Sequence, residues 1–313
     1  MLRSVALACV LLSGCGGGDE APVTSRDSGA SASDAGVDAP AEASEDAAIT
    51  VDASDAEVEA GPTFRSAGCQ TGAGLPEGEN TFMLEGLSRR YVLRLPQGYP
   101  GARAWPVVLA LHGNGGSTDY WDVTSGSRDI RKVLENDAIL VIAEAIEGNW
   151  RDYNQPESTW PPRMETELHY FDTVLSQVRQ ELCVDDRAIF SMGFSGGGSF
   201  SGVLACRRTD IRAIAVGGSV IYFDPKDCVG SSAAWVTIGQ QEMSTARTDF
   251  RDFFRDRAGC DTTSQDVPPP PCVAYDACDP NTPVHYCEHT GGHVWPDFGS
   301  QAMWDFFSQF VEK

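Results

Sequence analysis

The sequence has few basic residues. Only 23 of its 313 residues are Lys or Arg, against 45 Asp and Glu, so the formal net charge is −22. Nucleic acids are bound through clustered Lys and Arg that neutralise phosphates, and no basic stripe runs along this chain. The composition therefore excludes DNA and RNA as expected partners.

The chain also lacks a hydrophobic run long enough to cross a bilayer as a helix. Its N-terminal apolar segment covers only residues 5–12 and follows Arg3, which is typical of a signal peptide. The segment ends in Leu12-Ser13-Gly14-Cys15, which resembles a bacterial lipobox. We predict that residues 1–15 are a lipoprotein signal peptide and that lipid on Cys15 anchors the protein at the outer membrane or cell surface. An ordinary signal peptide with an incidental Cys15 is the alternative.

Residues 16–62 contain no aromatic residue and only one basic residue, Arg26, among 12 acidic ones. Such a segment buries too little apolar surface to offset the entropy lost on ordering. We predict a disordered acidic linker here, with an acidic cation-binding tail as the alternative. A globular domain is expected over residues 63–313.

No Cys-x-x-Cys motif occurs, and the Cys and His spacings match no common zinc site. Beyond Cys9 and Cys15 the chain has an even number of cysteines, which in a secreted protein predicts disulfides of unknown connectivity. They are Cys69, Cys183, Cys206, Cys228, Cys260, Cys272, Cys278 and Cys287. The four between 260 and 287 predict an irregular, cross-linked loop.

Apolar runs typical of buried strands alternate with helical patterns through the globular domain. Two short strands around Gly86-Leu87 come first and predict an antiparallel hairpin. Later runs, such as 105–111 and 139–143, are continuously apolar, as in parallel strands covered on both faces. The pattern predicts an α/β fold with a mostly parallel central sheet and helices on both faces.

One Gly-rich motif, Gly193-Phe194-Ser195-Gly196-Gly197, fits the pattern G-x-S-x-G. An apolar strand leads into it and a helical segment follows, which is the context of a nucleophile elbow. No Lys follows the glycines, so a phosphate-binding P-loop is excluded. We predict that Ser195 is the nucleophile of a hydrolase, with a Gly-rich packing turn as the alternative.

A serine nucleophile needs a general base, and the chain has five histidines. His293 lies in Gly291-Gly292-His293, after the last predicted strand and before the last helix. This is where the fold's chain order of Ser, acid and His places the base. We predict His293 as the base, with His289 as the alternative.

The ends of two further predicted strands indicate the remaining catalytic groups. Leu111-His112-Gly113-Asn114 resembles the turn that completes an oxyanion hole, so the backbone N–H groups of Asn114 and Gly196 are the expected donors. Glu242 follows the strand over 234–238 and is the predicted acid of the triad, with Asp224 and Asp249 as alternatives. These groups suffice for acyl transfer, so no cofactor and no metal are expected.

Residues from about 67 to 313 resemble secreted esterases of carbohydrate esterase family 1, the feruloyl esterase and polyhydroxybutyrate depolymerase type. The matching segments include Ser66-Ala67-Gly68-Cys69, Leu111-His112-Gly113, Gly193-Phe194-Ser195-Gly196-Gly197-Gly198, Leu204-Ala205-Cys206, Pro283-Val284-His285-Tyr286-Cys287-Glu288 and Gly291-Gly292-His293. The resemblance implies an α/β-hydrolase fold and ester hydrolysis through Ser195 and His293. It departs at 238–242, where Ile-Gly-Gln-Gln-Glu stands in place of the family's His-Gly-x-x-Asp.

The expected substrates are feruloyl or acetyl esters on plant cell-wall polysaccharide. Aromatic side chains in the predicted loops could stack on sugars or phenolic acids; they are Trp121, Trp150, Tyr153, Trp160 and Trp295. For each Trp taken singly, core packing is the favoured role and stacking on substrate is the alternative. A polyhydroxyalkanoate depolymerase and a surface-binding lipoprotein without turnover are the alternative functions.

Overall fold

The computed structural model describes residues 64–152 and 154–312. The predicted signal peptide, Cys15 and the linker lie outside these residues, as does Tyr153. Within the described part, ten strands form a single sheet in the order β1-β2-β4-β3-β5-β6-β7-β10-β9-β8. The strands are β1 (Gly78–Leu84), β2 (Leu87–Arg94), β3 (Trp105–Leu111), β4 (Ile139–Ala143), β5 (Val184–Phe194), β6 (Ala213–Gly217), β7 (Ala233–Gly239), β8 (Ser264–Asp266), β9 (Cys272–Tyr275) and β10 (Val284–His289).

The six central strands β4, β3, β5, β6, β7 and β10 pair in parallel. The first two strands form the predicted antiparallel hairpin and join the sheet through β4. At the opposite edge, β9 and β8 add two antiparallel strands. The expectation of an irregular loop over 260–287 was therefore wrong in part, because the β9 backbone pairs with β10 there.

Helices cover both faces of the sheet, as predicted. They are α1 (Gly68–Thr71), α2 (Ile130–Val133), α3 (Trp160–Glu181), α4 (Gly196–Arg207), α5 (Thr245–Arg257) and α6 (Gly299–Phe307). Side chains of a strand alternate between faces, and β3 shows the result. Val107 and Leu109 pack with residues of α3, α4 and α5, whereas Val108 and Ala110 pack with residues of α2 and α6. The fold is the predicted α/β-hydrolase arrangement.

All eight cysteines of the described part form disulfides, namely Cys69–Cys183, Cys206–Cys228, Cys260–Cys278 and Cys272–Cys287. The predicted disulfides are confirmed, and no thiolate is left among these cysteines to bind zinc. Disulfides persist in oxidising compartments, so this set is that of a secreted protein. Among the described residues, no helix has the length and apolar character needed to cross a membrane.

The disulfides differ in the length of chain that they close. Cys69 and Cys183 are 114 residues apart, whereas Cys260 and Cys278 are 18 apart. A cross-link lowers the entropy of the unfolded chain more when its loop is longer, by about 4.7 kcal/mol for a loop of roughly 100 residues and about 3 kcal/mol for one of roughly 15. We expect Cys69→Ser/Cys183→Ser to lower the free energy of unfolding more than Cys260→Ser/Cys278→Ser, measured by urea denaturation. Equal losses would contradict this account.

Candidate active site

Ser195 lies at the sharp turn between β5 and α4. Its backbone has φ 57° and ψ −120°, a conformation that residues other than glycine rarely adopt. Its N–H donates to the Gly217 carbonyl oxygen over 2.7 Å, and its carbonyl oxygen accepts from the Ser199 N–H over 2.9 Å. A Cβ atom on Gly197 would stand 2.2 Å from the Leu111 carbonyl oxygen, so only glycine fits there. The turn thus holds the half-buried Ser195 side chain above the end of the sheet.

His293 follows β10 and faces Ser195. Its Nε2 lies 2.8 Å from Ser195 Oγ, and its Nδ1 is hydrogen-bonded to Glu242 Oε2. The Phe194 ring packs against the imidazole with 4.6 Å between ring centroids. Because Nδ1–H donates to a carboxylate, Nε2 is left as the acceptor for the serine hydroxyl. The structure therefore brings the predicted nucleophile and the predicted base into hydrogen-bond contact.

Glu242 ends the short 3-10 turn after β7, and its side chain is only 6% exposed. Its Oε1 accepts from the Gly239 N–H over 3.3 Å. Burial acts to raise the pKa of Glu242, but hydrogen bonds from His293 and Gly239 and the positive charge of Arg247 lower it below its usual range. The carboxylate is therefore ionised at neutral pH and can orient the imidazole.

The alternative candidates for the acid and the base lie outside this hydrogen-bonded group. Asp224 is exposed and accepts a hydrogen bond from the Lys226 N–H at the start of a 3-10 turn. Asp249 is exposed on α5. His289 is buried, and its Nδ1 accepts from the Gly291 N–H. Of the predicted candidates, Ser195, His293 and Glu242 are the ones that the structure brings together.

The two predicted oxyanion donors lie side by side. A Cβ atom on Gly196 would stand 1.9 Å from Asn114 Oδ1, so the Asn114 side chain covers the first residue of α4. Within 64–152 and 154–312, neither the Asn114 nor the Gly196 backbone N–H donates a hydrogen bond to another group. The N-terminus of a helix carries positive potential, which favours an anion at this position.

His112 secures the loop that carries Asn114. Its Nδ1–H donates to the Gly113 carbonyl oxygen over 2.7 Å, and its Nε2 accepts from the Ala145 N–H over 3.2 Å. Burial lowers the pKa of His112 despite the opposing effect of the Gly113 carbonyl, so the ring is neutral. A neutral ring with this tautomer satisfies both neighbours at once, and it ties the loop to the chain that follows β4.

Most of the tryptophans singled out from the sequence are structural. Trp121 and Trp150 are fully buried and donate from Nε1 to the carbonyl oxygens of Leu111 and His112, each over 2.8 Å. Trp295 is also buried, at 3% exposure. Core packing, the role favoured from the sequence for each of them, is confirmed for all three, because they are buried in the core. Trp160 is half-buried and stacks on the Arg151 guanidinium.

Sequence reasoning missed Arg247, which lies on α5. Its Nε is 2.9 Å from Glu242 Oε2, and its side chain is 22% exposed. The Nε–H does not point along this line, so the contact is an ion pair without a well-aligned hydrogen bond. An Arg within a helical pattern carries no local signal of such a contact, because the contact depends on how α5 packs.

No family model matches the chain. It is 26% identical to feruloyl esterase D of Neurospora crassa over 282 residues, which cover 78% of this chain and 90% of that protein. It is 28% identical to a probable feruloyl esterase C of Aspergillus terreus over 244 residues, covering 70% of this chain and 84% of the relative.

Solved structures share the fold at low identity. A mutant of the feruloyl esterase module from Clostridium thermocellum, complexed with sinapinate, matches with a TM-score of 0.55 and 12% identity over 75% of this chain and 88% of that one. A family CE1 ferulic acid esterase from Anaeromyces mucronatus, in complex with ferulic acid, matches with a TM-score of 0.53 and 12% identity, over 75% of this chain and 90% of that one. These relationships confirm the predicted resemblance: the chain is a homologue of the feruloyl esterases, a group of carboxylic ester hydrolases, and has their α/β-hydrolase fold.

Proposed function

We propose that the protein is a serine carboxylesterase that hydrolyses feruloyl or acetyl esters of plant cell-wall polysaccharide. One observation carries the proposal. The Ser195 hydroxyl, 2.8 Å from His293 Nε2, belongs to a continuous chain of hydrogen bonds that ends at the Glu242 carboxylate. The relatives named above, with their feruloyl esterase titles, support the substrate class.

In the acylation step, His293 Nε2 takes the proton of the Ser195 hydroxyl while Oγ forms a bond to the ester carbonyl carbon. The carbonyl oxygen becomes an oxyanion, which the N–H groups of Asn114 and Gly196 stabilise. Glu242 stabilises the imidazolium. When the intermediate collapses, the bond to the alcohol oxygen breaks and His293 donates its proton to the departing sugar hydroxyl.

In the deacylation step, water takes the place of the alcohol. His293 accepts a proton from the water as its oxygen attacks the acyl carbon, and the same N–H groups hold the second oxyanion. Collapse then breaks the bond to Ser195 Oγ, which recovers its proton from His293. The products are the free alcohol and the free carboxylic acid, and the enzyme returns to its initial state.

The rim of the site supports an apolar acyl group. Met243 follows Glu242 and is 38% exposed, and Val294 follows His293 and is 52% exposed. Exposed apolar side chains next to the reacting groups offer a surface on which a phenolic ring or a methyl group loses water contact. Both residues directly follow a triad member in the chain, and we propose that they contribute to the surface that receives the acyl group.

Ser195→Ala tests the nucleophile. We expect hydrolysis of p-nitrophenyl acetate and methyl ferulate to fall by at least about 10⁴ in kcat, since attack and proton transfer both need the hydroxyl. The circular dichroism spectrum should be unchanged, because Ala replaces a side chain of similar size. A variant that retains activity within about tenfold of the wild type would refute the assignment.

Assays of the wild-type protein on methyl ferulate, acetylated xylan and short polyhydroxybutyrate test which class of ester it hydrolyses. Release of ferulate or acetate with the highest kcat/KM is the expected result. Preferential release of hydroxybutyrate would point to a polyhydroxyalkanoate depolymerase. Absence of hydrolysis on all three would favour a surface-binding protein on this fold.

Glu242→Gln compared with Asp224→Asn tests the acid. The amide keeps the shape of Glu242 but carries no negative charge to stabilise the imidazolium, so we expect kcat to fall by at least about 10², or ~2.7 kcal/mol of transition-state stabilisation. Asp224→Asn is the matched control because Asp224 is exposed and, among the described residues, its side chain accepts a hydrogen bond within its own turn. A larger loss in Asp224→Asn than in Glu242→Gln would contradict the assignment.

The lipobox residues support a further element of the proposal, attachment of the secreted protein to a membrane through lipid on Cys15. We expect Cys15→Ser to move the protein from the membrane fraction to the soluble fraction of its host, as followed by immunoblotting after ultracentrifugation. Recovery of the wild-type protein in the soluble fraction would contradict lipid attachment.

A further inference from the structure

Arg247 contacts two members of the proposed triad. Besides the 2.9 Å approach of its Nε to Glu242 Oε2, its Nη2 lies 3.4 Å from His293 Nδ1. Its Nη1 donates to Ser244 Oγ over 3.3 Å, which fixes the far end of the guanidinium. Since the Nδ1 proton points to Glu242, Nδ1 offers no lone pair to Arg247. The contact between Arg247 and the imidazole is therefore electrostatic and is not a hydrogen bond.

The position of Arg247 is unfavourable for the helix that carries it. It is the third residue of α5, whose first turn contains no acidic residue. The N-terminus of a helix is its positive end, so a cation there is electrostatically disfavoured. Residues that lower local stability are expected at functional sites, so the unfavourable place of Arg247 in α5 indicates a role in the site.

The length of the Glu242 side chain explains why the site needs an arginine at position 247. Its side chain is one methylene longer than the Asp that the resembled family carries at this place, so it has one more rotatable bond to restrain. Oε1 is held by the Gly239 N–H, and Oε2 is shared between His293 and Arg247. Without the arginine, Oε2 would have His293 as its remaining partner among the described residues.

We infer that Arg247 is a positioning residue of the triad, which holds the Glu242 carboxylate in the orientation that the His293 imidazole needs. This inference rests on the proposed function. The Arg247 Nε lies 2.9 Å from Glu242 Oε2 and its Nη2 lies 3.4 Å from His293 Nδ1, so one guanidinium contacts both partners of the hydrogen bond between these side chains.

The test compares Arg247→Gln and Arg247→Met with wild type, using kcat and KM for p-nitrophenyl acetate and the NMR signal of the His293 Nδ1–H proton, which reports the hydrogen bond to Glu242. We expect kcat to fall by about fivefold to tenfold in both variants while KM stays within about twofold, because Glu242 is less well held and the substrate surface is unchanged. The Nδ1–H signal should move upfield or broaden in both variants. The melting temperature should stay level or rise, since a cation leaves the positive end of α5.

Two further variants serve as controls. Arg247→Lys keeps a cation next to Glu242 and should recover most of the wild-type kcat. Arg255→Gln removes an arginine of the same helix that pairs with Asp252 and Asp256, and it should leave both the Nδ1–H signal and the kinetics unchanged.

An unchanged Nδ1–H signal and a kcat within about twofold of wild type in both Arg247→Gln and Arg247→Met would overturn the inference, even if the wild-type protein proves to be an active esterase. Absence of ester hydrolysis by the wild type would instead count against the proposed function. The Nδ1–H signal would then still decide whether Arg247 holds Glu242 against His293.

Discussion

The backbone of Ser195 is the constraint on which the rest of the site depends. A non-glycine residue at φ 57° and ψ −120° is strained by about 1–3 kcal/mol, and it persists only where its surroundings leave no alternative. Here the Gly217 carbonyl oxygen holds the N–H, and the absence of a side chain on Gly197 lets the turn press against the end of β3. The strained turn places Oγ beyond the sheet and next to the first N–H of α4, so one local conformation presents the nucleophile and one oxyanion donor of the proposed mechanism.

The other groups reach Ser195 because neighbouring parallel strands end at the same edge of the sheet. Glu242 follows β7 and His293 follows β10, its parallel neighbour, while β6 lies between them and Ser195. The residue after β6 is a glycine for a steric reason. A Cβ atom on Gly218 would stand 2.7 Å from the His293 Cε1, so the imidazole occupies the space that a side chain would need. Arg247, on α5, then adds a positive charge next to the Glu242 carboxylate.

Sequence patterns predicted the features whose causes are local. The strand, Gly-rich turn and helix around Ser195 are adjacent in the chain. Chain order placed an acid between Ser195 and His293, and the strand over 234–238 pointed to Glu242 for that role, with Asp224 left open. Core packing was the favoured role of the tryptophans at 121 and 150, and the structure buries both. Features that depend on distant contacts were missed, and the β8–β9 edge forms only because β10 offers it a partner. Arg247 has no local signature, since its role comes from the direction in which α5 leaves the sheet.

The central claim is that Ser195 is a nucleophile activated by His293, and covalent labelling tests it most directly. The protein is incubated with a p-nitrophenyl phosphonate ester, which a serine hydrolase attacks but hydrolyses slowly, and its peptides are mapped by mass spectrometry. The account predicts one phosphonyl adduct, located on Ser195, that forms with release of one p-nitrophenol and is strongly slowed in His293→Ala. An adduct on another residue, or equally fast labelling without His293, would contradict it.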